Sequence, residues 1–205
     1  MMKKIIKSIL PEWIKRSLRT VEDMLLRTKF AFTRKIILED INGISFILDP
    51  HNRTPIRWQI ERGAYSKEFS AMKKLVRPGD IAFDVGANTG TISSFLAKLV
   101  TSSGKIYAFE PFPETYRKLR LAISLNNINW IETYQLALTD RTGNSEFYFE
   151  PSNLELNSLG QVSNGKKKLS HKITVQADTI DDFCHKNSIG QIDFLKIDVE
   201  GFEAN

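Results

Sequence analysis

The stretch that decides the fold reads Ile81-Ala82-Phe83-Asp84-Val85-Gly86-Ala87-Asn88-Thr89-Gly90, with Ile92, Phe95, Leu96, Leu99 and Val100 following it. A short, mostly apolar run gives way to a glycine turn, and then apolar residues recur every three to four positions. The first pattern suits a strand buried on both faces, and the second suits a helix with one apolar stripe. Strand, glycine turn and helix in that order open a βαβ unit.

Working outward toward the C-terminus, Ser102-Ser103-Gly104 breaks the helix, and Lys105-Ile106-Tyr107-Ala108-Phe109-Glu110 reads as a second strand. Pro113-Glu114 opens a helix carrying Tyr116, Leu119, Ala122 and Ile123, which stops at Asn126-Asn127. A third strand is expected from about Ile131 to Leu138. The alternation β-α-β-α-β builds a parallel sheet with right-handed crossovers. It then pauses: Glu146 to Phe149 and a strand around Ile173 and Val175 flank a polar loop with Lys166, Lys167 and Lys168, and can pair as an antiparallel insert or lie beside the sheet. Asp178 or Thr179 caps a helix with Ile180, Phe183 and Cys184. Ile192 to Asp198 is the next apolar strand. Toward the N-terminus, Pro78-Gly79-Asp80 is a turn, and Ser66 can cap a helix with Phe69, Met72, Leu75 and Val76 on one face. Ile36 to Leu38 and Ile44 to Leu48 flank Asn42-Gly43, the pair that a two-residue hairpin turn favours. The organisation expected is a basic helical arm (1–35), a hairpin and helix leading inward (36–77) and a core (78–205).

Composition bounds the rest. With 41% hydrophobic and 26% charged residues, the 205-residue chain has an ordinary globular make-up, which excludes disorder. One cysteine, Cys184, rules out a disulfide framework and a cysteine zinc site, and points to a reducing, cytoplasmic setting. The net charge is +5, but residues 1–35 hold ten Lys/Arg against three Asp/Glu, so the arm carries +7 and the rest sums to −2. A near-neutral body argues against a nucleic-acid partner. In the arm, Trp13, Ile14, Leu18, Val21, Leu25 and Leu26 alternate at helical spacing with Lys15, Arg16, Arg19 and Arg27. Such a basic amphipathic helix can lie on an anionic membrane surface; packing on the domain is the simpler reading. The apolar run at Ile5, Ile6, Ile9 and Leu10 is too short to span a bilayer.

The chemistry gathers where strands end. Glycines at 86 and 90 let the turn tighten and the backbone approach a ligand. Twenty residues past Gly90, Glu110 closes the second strand, where a carboxylate can accept hydrogen bonds from both ribose hydroxyls of an adenosine. Asp84 can face a cationic amino group. A dinucleotide site wants glycine where Asn88 stands, and the Gly-Lys-Ser/Thr of a phosphate loop is absent. The ligand read from these residues is an adenosine bearing an amino acid and no phosphate. Cys184 falls on an apolar helix face and is core rather than nucleophile, and His51 and His171 lie in loop-like surroundings.

Asp84-Val-Gly-Ala-Asn-Thr-Gly90, Ala108-Phe-Glu-Pro-Phe112, Thr179-Ile-Asp-Asp-Phe183 and Ile192-Asp-Phe-Leu-Lys-Ile-Asp-Val-Glu-Gly-Phe-Glu203, in this order, resemble the FkbM family of class I methyltransferases. The resemblance runs from about Leu75 to the last residue. It implies a Rossmann-like fold, S-adenosyl-L-methionine as methyl donor, and a hydroxyl acceptor on a sugar, glycolipid or secondary metabolite. Carried over by position, Asp84, Gly86, Ala87, Asn88 and Gly90 would hold the methionine end. Glu110 would hold the ribose, Phe112 would lie near the adenine, and Ala137 and Leu138 would border it, with Asp140 a weaker candidate. Asp198 and Glu200 would face the methyl group and the acceptor, as base or as ligands of a divalent metal; simple capping is the bland alternative. No resident metal is expected.

The family's sheet continues past its fourth strand, in the order 3-2-1-4-5-7-6. The expectation is therefore a sheet truncated after the fourth parallel strand and a chain that is a fragment. Two other functions compete. Nitrogen methylation on protein or nucleic acid is disfavoured, because Asp198-Val-Glu-Gly stands where those enzymes place Asp/Asn-Pro-Pro-Tyr/Phe. A non-catalytic cofactor-binding or membrane-peripheral module stays open. The acceptor's identity, metal dependence and oligomeric state are not written in the sequence.

Overall fold

The computed structural model describes residues 21, 37–41, 44–48, 64–149 and 171–199. The expectations for most of the arm, for the three-lysine loop, for His51 and for Glu200 lie outside them.

Strands β1 (Ile37–Ile41) and β2 (Ile44–Leu48) pair antiparallel with Ile41 opposite Ile44, the register that a two-residue Asn-Gly turn imposes. Helix α1 (Ala64–Leu75) follows. The central unit alternates β3 (Ile81–Val85), α2 (Thr91–Val100), β4 (Lys105–Phe109), α3 (Pro113–Leu125) and β5 (Ile131–Tyr134). Its four-stranded sheet runs β5-β4-β3-β9, all parallel, with β9 at Phe194–Ile197. This is the 3-2-1-4 part of the expected order, so the α/β Rossmann-like class holds. A second, three-stranded sheet runs β6-β8-β7 (Ala137–Leu138, His171–Asp178, Gly143–Phe149), with β7 and β8 antiparallel, and α4 (Ile180–Lys186) leads from it to β9.

Both faces of β3 are covered. One side packs Ala82, Ile106 and Ala108 against α2, whose Ile92, Phe95, Leu96 and Val100 are buried, with Phe69 of α1 stacked on Phe95 at 3.9 Å. On the other face Phe83, Val85 and Phe109 meet Phe183 of α4, and the Phe109 and Phe183 rings pack edge-to-face at 4.8 Å. Burial on two sides explains why β3 reads as a nearly unbroken apolar run. Thr179 caps α4, its hydroxyl accepting the Asp182 N–H at 3.0 Å.

Five expectations need correction. The strand expected from Ile131 to Leu138 divides: β5 stops at Tyr134, and β6 joins the other sheet beside β8. The cause lies in its partner. The Glu110 N–H donates to Tyr134 O, but the next N–H on that side of β4, that of Phe112, turns back to Glu110 Oε1 at 2.9 Å, so the ladder ends there. Helix α1 begins at Ala64, so Ser66 sits inside its first turn; alanine is a strong helix former and nothing between the two residues breaks the helix. Leu75 is exposed, lying about 100° around the helix from Val76 at the margin of the stripe made by Phe69, Met72 and Val76. His171 is the first residue of β8, not part of a loop. The fourth parallel strand is also shorter than read: the Asp193 N–H still donates to Ile81 O at 2.8 Å, but the Ile81 N–H is taken by the Asp193 carboxylate, at 2.8 Å, and not by a carbonyl further back along the chain. Among the described residues β9 pairs with β3 alone, and Leu195 and Ile197 are exposed on it.

Candidate functional site

The site forms where β3, β4 and β9 end together. After Val85 the chain turns through Gly86 (φ 74°), Asn88 (φ 49°) and Gly90 (φ 86°), and Gly90 caps α2 in the left-handed conformation. The N–H groups of Gly86 and Ala87 both donate to Phe109 O, at 3.0 and 2.9 Å, which ties the turn to the end of β4. The two glycines are also required by packing. A Cβ on Gly86 would lie 1.9 Å from Asp198 O, and one on Gly90 would lie 2.7 Å from Leu119 Cδ1. Close approach of β9 and α3 therefore fixes these positions whether or not a ligand is bound.

Glu110 leaves the end of β4 pointing back under this turn. Its Oε2 accepts the Asn88 N–H at 3.0 Å and its Oε1 accepts the Phe112 N–H at 2.9 Å. Burial pushes its carboxyl up to about 7; the two backbone N–H groups pull the other way, Asp84 adds to the rise and Lys196 reduces it. Each carboxylate oxygen keeps a lone pair beyond the one already engaged. A buried carboxylate with spare acceptor capacity fits an adenosine ribose and, by its charge, disfavours a pyrophosphate at the same place.

Asp84, expected to face a ligand's amino group, is fully buried and already partnered. Its Oδ2 accepts the Ser93 hydroxyl at 2.5 Å, and its Oδ1 lies 3.1 Å from Lys196 Nζ. The same ammonium reaches Gly86 O at 3.2 Å and Asp198 Oδ2 at 3.5 Å. Burial alone would pull the Lys196 ammonium down, but Asp84 and Asp198 outweigh it and its pKa is raised. Lys196 and Ser93 were missed in the sequence. The available signal was a lysine inside Phe194-Leu195-Lys196-Ile197, since a charge in an apolar strand needs a buried counter-charge.

Phe112 is buried in an apolar cluster with Ala137, Phe147, Val175 and Ala177, its ring 5.8 Å from Phe147 and 4.9 Å from Phe149. Leu138 faces the other way, into the Phe83–Phe109–Phe183 cluster. The candidate adenine-side residues are thus backed by two different cores. Asp140 is exposed beside Arg141, 3.9 Å away. Asp198 is exposed at the end of β9, its N–H donating to Val85 O at 3.0 Å. The structure brings together Asp84, Gly86, Ala87, Asn88, Gly90, Glu110, Phe112 and Asp198 around one strand-end turn. Cys184 is half-buried against the aromatic cluster, and burial pushes its thiol up. Among the described residues no helix is long and apolar enough to cross a membrane.

The family profile described as Methyltransferase FkbM domain matches residues 84–205. The chain is 25% identical to the 2-O-methyltransferase NoeI of Sinorhizobium fredii over 64% of its own length and 57% of that protein's. It is 27% identical to the hexuronic acid methyltransferase AglP of Haloferax volcanii, covering 60% of this chain and 47% of that one. A crystal structure of M. jannaschii TYW2 in complex with AdoMet is 26% identical, with 52% of this chain and 48% of that chain covered and a TM-score of 0.40. The chain spans about half the length of the curated relatives it matches.

Proposed function

The chain belongs to the FkbM methyltransferase family, and on that premise we propose that it binds S-adenosyl-L-methionine at the β3–β4 strand ends and serves O-methylation of a sugar, glycolipid or secondary-metabolite hydroxyl. The observation that carries the reading is Glu110: a buried carboxylate, oriented by the N–H groups of Asn88 and Phe112, at the position where a ribose diol would donate to it. The printed names of two relatives, a 2-O-methyltransferase and a hexuronic acid methyltransferase, support a hydroxyl on a sugar as acceptor.

When bound, the cofactor supplies a methyl group already activated on a sulfonium. What remains for the protein is alignment and proton management. Glu110 holds the ribose. The turn Gly86-Ala87-Asn88, fastened to Phe109 O, presents backbone to the amino-acid end. Asp198 stands exposed beside that turn and takes the acceptor's hydroxyl proton; Glu200, two residues on, is the second candidate for that role.

Calorimetric titration of the 205-residue chain with S-adenosylhomocysteine tests the reading, alongside Glu110→Ala and a circular dichroism spectrum of each sample. Micromolar binding that falls at least tenfold in the variant is expected. A folded wild-type chain with no affinity would overturn it.

A further inference from the structure

Lys196 is the third residue of a strand whose other members are Phe194, Leu195 and Ile197, and parallel pairing sets it directly beside Asp84. Neutralising one buried carboxylate would need a single contact. The Lys196 ammonium instead donates a hydrogen bond to Gly86 O at 3.2 Å and lies in ion-pair range of two carboxylates, Asp84 Oδ1 at 3.1 Å and Asp198 Oδ2 at 3.5 Å. Those points belong to the penultimate residue of β3, the first residue of the glycine turn and the exposed residue just past β9. Asp84 itself is fully buried, and Ser93 donates to its second oxygen at 2.5 Å. The Gly86 carbonyl, by contrast, belongs to the segment that faces the cofactor in the function proposed above, and Gly86 has no side chain to hold it in place.

We infer that Lys196 is a positioning residue for the cofactor: it fixes the Gly86 turn through its carbonyl and draws the Asp198 carboxylate to the same turn, with Asp84 as the buried counter-charge that keeps the ammonium there. The inference rests on the cofactor reading and adds a residue to it that touches no ligand itself.

A role limited to neutralising Asp84 would change the melting temperature and leave the affinity of the folded protein alone. Positioning changes both. The test compares wild type with Lys196→Met, which keeps an unbranched stem of similar length and removes the ammonium. Thermal melts are read beside titration with S-adenosylhomocysteine at a temperature where circular dichroism shows both proteins folded. The expected result is at least a tenfold loss of affinity in the folded variant. If Lys196→Met does not fold, Asp84→Asn/Lys196→Met is compared with Asp84→Asn and read the same way, since the double variant leaves no uncompensated buried charge. Affinity within threefold of the matching reference, with only the melting temperature lowered, overturns the inference and leaves the function proposal standing. A folded wild type that binds nothing overturns the function proposal, and this inference falls with it.

Discussion

Glu110 is held in a place that resists its charge. Its carboxyl titrates near 7 because burial outweighs the two backbone N–H groups that favour the ionised form. A ribose diol donating to both oxygens would favour that ionised form further, so ligand binding and deprotonation are linked. Affinity for S-adenosylhomocysteine should therefore rise as pH increases from 6 to about 7 and level off above it. Calorimetry at pH 6.5 in buffers of different ionisation enthalpy should show a proton released on binding; no release would sink the linkage. The ligand-free protein should show the matching stability effect. The folded-state value lies above the ordinary 4.5, so the penalty is absent below that pH, grows as pH rises toward 7 and is complete beyond it. The melting-temperature advantage of wild type over Glu110→Ala should accordingly shrink between pH 5 and 7.5. The carboxylate at the strand end was legible from its spacing after Gly90. Its titration was not, because Glu110 is buried only once the turn at Asn88, 22 positions earlier, is folded against the end of β4.

At the level of elements, the contact between the Gly86 turn and β9 is the tightest in the site. Gly86→Ala would place a methyl carbon 1.9 Å from the Asp198 carbonyl oxygen, at a φ of 74° that alanine adopts at a cost of about 1 kcal/mol. Backbone on both sides must move, so a loss of roughly 3 kcal/mol or more is expected in denaturant unfolding. Gly190→Ala is the control, with nothing within 4 Å of its added carbon, and should change stability by less than about 0.5 kcal/mol. Equal losses at the two positions would show that the turn tolerates displacement of β9. The βαβ elements were readable because their apolar periods are local, as was the hairpin, announced by Asn42-Gly43. The division of β5 from β6 was not. Ile131 to Leu138 is uniformly strand-like, and what ends the pairing lies on the neighbouring strand, where the Phe112 N–H turns back to the Glu110 carboxylate. Lys196 was passed over for a similar reason, since its partners lie 112 and 110 positions away at Asp84 and Gly86 and meet it only through the parallel register.

Across the whole molecule, two sheets meet at Phe112. Its N–H orients Glu110 at the end of the parallel sheet, while its ring packs on Phe147 and Phe149 of the second sheet. One residue thus couples the insert to the candidate ribose site. The insert's antiparallel pairing was open to reading from sequence, but this coupling was not, because it depends on how the sheets are placed. Phe147→Ala tests the coupling. Phe147 is buried with Val175, Ala177 and Ala137, and removing its ring should cost about 3–5 kcal/mol. If the second sheet only decorates the core, the folded variant should bind S-adenosylhomocysteine as wild type does. If Phe112 transmits the change, its N–H loses a fixed direction toward Glu110 Oε1, and affinity should fall three- to tenfold in protein that circular dichroism shows to be folded. Phe183→Ala, on the opposite face, removes a ring of similar size from a cluster without Phe112, and supplies the comparison. A drop in affinity with Phe147→Ala that is absent with Phe183→Ala would assign the effect to the Phe112 contact rather than to lost stability in general.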